Sequence, residues 1–240
     1  MPGARPRIVF VHGSVMGGRP TWSRQRALGD RFELDVWDRP GFAPNPPVER
    51  VDFDLDAVAL CERLQPDSHV VGHSAGGVVA LLAAARAPEL IASLVVIEPP
   101  AMDVARGTPE VDSFITAGEE WWSHGPRDDP EAFLRGFLRL VGSDYDPPSP
   151  LPPALEQGAR ALIGERRQWD AQIPLSTLEI APFPSLVVSG GHHAAFDAVC
   201  DVLVARLGAE RLVLAGYGHT AQQHPSFNEH LKQFVTQAAG

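Results

Sequence analysis

Gly72-His73-Ser74-Ala75-Gly76 is a G-x-S-x-G, extended by Gly77. It follows the apolar pair Val70-Val71 and precedes Val78-Val79-Ala80-Leu81-Leu82. A serine on a sharp strand-to-helix turn stands clear of the backbone, and the flanking glycines let neighbouring main chain pass close. The helix N-terminus adds partial positive charge and free N–H donors. The same letters would serve a tight turn with a capping serine, but the position after a strand and before a helix favours a nucleophile, Ser74.

A nucleophilic serine needs a base within hydrogen-bond reach. Gly216-Tyr217-Gly218-His219 follows Leu212-Val213-Leu214, so His219 sits on a loop at a strand's carboxyl end. His224 and His230 fall in the last helix, where a surface role fits better. His12-Gly13-Ser14 follows Ile8-Val9-Phe10-Val11. A loop there can aim a backbone N–H at the serine. Together with the Ala75 N–H it would form an oxyanion hole, each donor worth ~3 kcal/mol in the transition state. Ser14 or Val15 is the expected first donor. No Cys/His spacing suggests a metal, and the chemistry needs neither metal nor organic cofactor.

The elements that must position these residues are short β-branched runs alternating with amphipathic stretches, the pattern of a parallel sheet wrapped by helices. Strands are predicted at Ile8–Val11, Leu34–Trp37, His69–Gly72, Leu94–Glu98, Leu186–Ser189 and Leu212–Ala215. Helices are predicted at Trp22–Asp30, Asp54–Leu64, Ala75–Ala87, Ala195–Leu207 and Pro225–Ala238. Between Pro99 and Pro184 the rhythm breaks into aromatic-rich helical patterns, split by Pro147-Pro148-Ser149-Pro150-Leu151-Pro152-Pro153. The expectation is a core of residues 1–98 and 184–240 with a helical cap at 99–183. The cap aromatics would wall a mostly apolar cavity. Val15, Trp121 and Trp122 are the candidate substrate contacts, although adjacent tryptophans cannot share one helix face.

Together these segments resemble the α/β-hydrolase superfamily over nearly the whole chain. Trp37-Asp38-Arg39-Pro40-Gly41-Phe42 is similar to the family's loop after its next strand, with Asp38 and Arg39 read as pinning that loop. The resemblance implies a doubly wound, mostly parallel α/β sheet of about six strands, the antiparallel strands that often open this fold being absent. It also implies a triad in the order Ser, acid, His. Family members usually carry an Asp three residues after the glycine that ends the penultimate strand. Here that position, counted from Gly190, holds His193, and a neutral imidazole cannot balance an imidazolium. Glu98 ends the strand next to the nucleophile's, where certain haloalkane dehalogenases place their acid, and is preferred. Asp197, expected on the solvated face of a helix, is the alternative. His73 is read as packing. His192 and His193 are read as lining the pocket or forming a surface turn.

The implied activity is hydrolysis of a small, apolar carboxylic ester through an acyl-enzyme. A lactone, thioester or carbon–carbon bond, a hydroxynitrile-type lyase reaction, and a non-catalytic small-ligand receptor remain open on the same site. Dehalogenase and epoxide hydrolase chemistry need a carboxylate where Ser74 stands. With 20 Lys+Arg against 30 Asp+Glu the net charge is −10, which repels nucleic acid and anionic membranes. No leader or membrane-length apolar run is found, so a cytoplasmic location is expected. Cys61 and Cys200 lie among apolar helical residues and are read as thiols rather than a disulfide.

Overall fold

The computed structural model describes residues 5–238. Six strands form one all-parallel sheet in the order β2-β1-β3-β4-β5-β6. They are β1 (Arg7–Val11), β2 (Glu33–Trp37), β3 (Ser68–His73), β4 (Ile91–Ile97), β5 (Ser185–Ser189) and β6 (Glu210–Val213). All six predicted strands are found, but β4 begins three residues before the predicted Leu94–Glu98 and stops at Ile97, and the last is set two residues earlier than Leu212–Ala215.

Strand residues alternate between two cores, as period 2 requires. Val9, Val11, Val70, Val96 and Val187 face one core, and Ile8, Phe10, Val71, Val95 and Val188 face the other. Both faces are covered, which is why these strands read as continuous apolar runs. The helices are α1 (Gly18–Thr21), α2 (Phe53–Arg63), α3 (Ala75–Arg86), α4 (Pro109–His124), α5 (Pro130–Leu140), α6 (Pro153–Gly164), α7 (Leu175–Leu178), α8 (Ala194–Leu207) and α9 (Phe227–Ala238). Phe53, Val78, Val79, Val199 and Leu203 from α2, α3 and α8 fill the first core. Phe227, Leu231, Phe234 and Val235 from α9 fill the second.

The helix predicted over Trp22–Asp30 is instead the single turn α1 and a 3₁₀ turn at Gln25–Leu28. Trp22 and Leu28 must both reach the second core. Gln25 is turned inward to bond the Gln222 carbonyl (2.9 Å) and Asn228 (2.8 Å). In the 3₁₀ turn, where residues i and i+3 eclipse, Gln25 and Leu28 are buried together. The stretch between β4 and β5 holds α4–α7 and no strand among the described residues, and the proline cluster separates α5 from α6. Both cysteines are free thiols. No described helix is long and apolar enough to cross a membrane.

Candidate active site

Ser74 sits at the junction of β3 and α3 with φ 53° and ψ −127°, a conformation that L-residues avoid. The surroundings enforce it. The Ser74 N–H donates to the Ile97 carbonyl (2.8 Å), and its own carbonyl accepts from Gly77 N–H (2.7 Å). The glycines are required by close approach. A Cβ at Gly72 would lie 2.3 Å from the Gly76 carbonyl oxygen, and one at Gly76 would lie 2.3 Å from that of Val11. Strand and helix therefore touch backbone to backbone, and the serine is held at the N-terminus of α3.

His219, on the 3₁₀ segment after β6, places Nε2 2.9 Å from Ser74 Oγ. Its Nδ1 faces Glu98 Oε2 at 3.5 Å. Neither Nδ1 nor Oε2 has a hydrogen-bond partner elsewhere among the described residues, and both are shielded from solvent. Such contacts are commonly long in unliganded sites and tighten as charge develops. Glu98 is fully buried and itself has φ 50°. Its Oε1 accepts from Gly190 N–H (2.6 Å). Burial by itself would raise the Glu98 carboxyl. Hydrogen bonding toward His192 and His219, the charge of His219 and the Gly190 N–H outweigh burial and hold it down at about 2. Glu98 is thus a carboxylate at neutral pH.

The alternative acid, Asp197, is engaged elsewhere. Its Oδ1 accepts from Ser189 Oγ (2.7 Å) and from Arg211 (3.1 Å). His193, at the family's usual acid position, caps α8 by accepting from Ala195 N–H (3.2 Å). For His192 the sequence suggests only pocket lining or a surface turn. It instead reaches Glu98 Oε1 (3.7 Å) through Nδ1 and the Val141 carbonyl (3.1 Å) through Nε2. His73 packs as expected, and its Nε2 also donates to the His219 carbonyl (2.8 Å), steadying that loop. Burial, then the neighbouring His219 charge, lower the His73 pKa to about 3. Glu98, His192 and His219 bring nitrogen and oxygen atoms within 4.8 Å of one another. With His219 Nε2 on Ser74 and Glu98 Oε1 on Gly190, this set is a chain of hydrogen-bonding groups around one carboxylate.

The loop after β1 lies against the serine, since a Cβ at Gly13 would come 2.8 Å from Ser74 Cβ. It is fixed from several sides. His12 is buried, with Nε2 accepting from Arg39 N–H (2.9 Å) and Nδ1 facing the Gly13 carbonyl (2.7 Å). Burial and the Arg39 charge lower its pKa to about 3, so the ring is neutral. Ser14 Oγ donates to Glu165 Oε2. Val15 has φ 77°, a strained value for a β-branched residue, and α6 presses on its carbonyl, where Gly158 alone leaves room.

Behind this loop lies a charge network that the sequence did not show. Arg39 is completely buried between Asp56 (2.8 Å) and Glu165 (3.0 Å). Burial raises the Glu165 carboxyl, which Arg39 and Ser14 only partly offset. Arg39 does pin a loop, as expected, but from inside the protein. The only sequence signal for Glu165 would have been an acid heading the run Glu165-Arg166-Arg167, which reads as a solvated face.

Two cavities meet at Ser74 and Ser14. One of about 30 Å³ is walled by Phe114, Trp122, Trp169 and Phe196. The other, about 290 Å³, is bounded by Val15, His73, Tyr145, His219 and Thr220. Of the candidate substrate contacts, Val15 and Trp122 line these spaces. Trp121 does not: its indole packs on Gly136 and on Phe133, at 5.5 Å between centroids. Two faces of α4 separate the adjacent tryptophans.

The fold agrees with comparisons to known proteins. A pimeloyl-[acyl-carrier protein] methyl ester esterase of Aeromonas hydrophila is 27% identical over 182 residues, 73% of this chain and 65% of that protein. Lipase LipV of Mycobacterium tuberculosis is 28% identical over 178 residues, 72% of this chain and 65% of its own length. The chain thus spans somewhat under two thirds of these curated relatives. Among solved structures, MenH from S. aureus superposes with a TM-score of 0.76 at 17% identity, covering 99% of this chain and 96% of that one. A thermophilic esterase from Thermogutta terrifontis superposes at 0.67 with 18% identity, covering 99% and 92%. The model of the alpha/beta hydrolase family matches residues 8–229, and the chain belongs to that family.

Proposed function

We propose that the protein is a serine hydrolase acting on small carboxylic esters through an acyl-enzyme, with Ser74, His219 and Glu98 as its triad. The observation that carries this reading is the 2.9 Å contact between His219 Nε2 and Ser74 Oγ, with a buried carboxylate behind the imidazole. His219 takes the hydroxyl proton as Oγ attacks the ester carbonyl. Glu98 holds the ring and balances the imidazolium that forms. The Ala75 N–H at the start of α3 and a second N–H at Ser14 or Val15 receive the oxyanion. His219 returns the proton to the leaving alcohol, and water repeats the cycle on the acyl group.

The two unequal cavities support a division of the substrate. The small aromatic space suits a short acyl group and the larger, more polar one the leaving alcohol, with residues 99–183 acting as a cap over both. The esterase and lipase names among the relatives favour the same chemistry. The test is labelling by a fluorophosphonate probe, followed by assay with p-nitrophenyl acetate. Labelling and turnover that vanish in Ser74→Ala support the proposal. A wild-type protein that neither labels nor turns over, yet binds a small molecule tightly, would make the site a receptor.

A further inference from the structure

The family's usual acid position stands on the loop after β5, and this chain has no carboxylate there. The same loop carries His192, which approaches the acid supplied from β4. Its ring nitrogens both face oxygens. Nε2 lies 3.1 Å from the Val141 carbonyl, which only accepts, so Nε2 carries a proton. Nδ1 lies 3.7 Å from Glu98 Oε1, an ion-pair separation. A neutral ring would turn a lone pair toward a buried carboxylate, with no other partner for that nitrogen among the described residues. A second proton turns this repulsion into attraction. The ring is further seated by stacking on Phe196 (6.2 Å, 24°).

We propose that His192 is a positioning residue for the Glu98–His219 pair, a charged imidazolium that holds Glu98 through the oxygen His219 does not use and ties it to the end of α5. The proposal deepens the reading of Ser74 as nucleophile and depends on it only for its kinetic consequence. The groups facing His192 are Glu98 from β4, His219 after β6 (ring centroids 6.0 Å), its neighbour His193 (6.1 Å) and Asp197 of α8. Burial opposes the charge, but Glu98, Val141 and Asp197 together raise the His192 pKa. The charge has a use. A second cation on the same carboxylate takes up part of its negative charge, so less of that charge falls on the imidazole that must accept the serine proton.

Two measurements decide this. In ¹⁵N-histidine-labelled wild-type protein at pH 7, both ring nitrogens of His192 should show the shifts of protonated nitrogen. A non-protonated Nδ1 there overturns the proposal whatever the enzyme does. In His192→Gln, the pH dependence of Ser74 phosphonylation should move its acidic limb upward by about one unit, while the rate on the alkaline plateau stays within several-fold. An unmoved limb overturns the electrostatic role. Should that variant misfold, the wild-type spectrum alone decides. Absence of phosphonylation in the wild type would refute the hydrolase reading and leave the spectroscopic result standing.

Discussion

Glu98 Oε2 lies 3.5 Å from His219 Nδ1, although Glu98 directly follows β4 and His219 follows β6, with β5 between those strands in the sheet. The carboxylate spans that gap because the backbone at Glu98 is turned to φ 50° and its N–H is tied to the Val188 carbonyl (2.9 Å). Glu98→Gln keeps the size and the Gly190 contact but loses the charge that balances the imidazolium. Its turnover of p-nitrophenyl acetate should fall about 10³- to 10⁴-fold. Asp197→Asn should stay within a few-fold of wild type. The reverse pattern would move the acid to α8.

The serine turn is legible because local sterics write it into the sequence: only glycine fits at 72 and 76, whatever the rest of the fold does. Glu98 is reached through the family resemblance, from a strand end and the absence of an Asp at the usual position. The partners of these residues are not. Glu165 meets Arg39 across 126 residues, and His192 meets Val141 across 51. Neither pairing leaves a periodicity or a spacing. Trp121 and Trp122 show the same limit. Their different faces follow from helix geometry, about 100° per residue, but which one meets the cavity depends on how α4 packs on α5.

Arg39 is the shared counter-charge of two buried acids, Asp56 and Glu165. Arg39→Met would leave Asp56 and Glu165 buried without a counter-charge, and should cost about 3–5 kcal/mol in urea unfolding. Activity of the surviving folded fraction should also drop, since Glu165 holds Ser14 Oγ in the loop beside the nucleophile. A variant of wild-type stability would show that solvent enters this network.

His12 and His73 are each held neutral, with pKa values lowered to about 3. Unfolded, they would take up protons near pH 6.5. Their stabilisation is therefore complete above about pH 6.5 and is lost as pH falls toward 3. His192, whose pKa is raised, acts in the opposite sense and offsets part of the loss. Glu98 contributes nothing in this window, because its stabilisation is lost only as pH drops below about 4.5. Between pH 7.5 and 5 the unfolding free energy should fall by roughly 2–4 kcal/mol. Urea midpoints at the two pH values measure it, and equal midpoints would mean that one or both rings are protonated in the native state.

The cavity beside Ser74 that is walled by Trp122, Trp169, Phe114 and Phe196 holds about 30 Å³, against about 290 Å³ for its neighbour. Trp122 is wedged edge-on against Phe137 (5.8 Å) and Trp169 (5.4 Å), so the wall yields only at the expense of packing. Acetyl and propionyl esters should therefore be turned over at least tenfold faster than octanoyl esters of the same alcohol. Trp122→Leu removes an indole from that wall and should shift the optimum to longer acyl chains, with kcat/KM for butyryl or hexanoyl esters rising against acetyl. The change should appear in the acyl series and not in a series of alcohols, because on the proposed division the leaving group takes the larger space bounded by Tyr145 and Thr220. A shift in the alcohol series instead would exchange the roles of the two cavities.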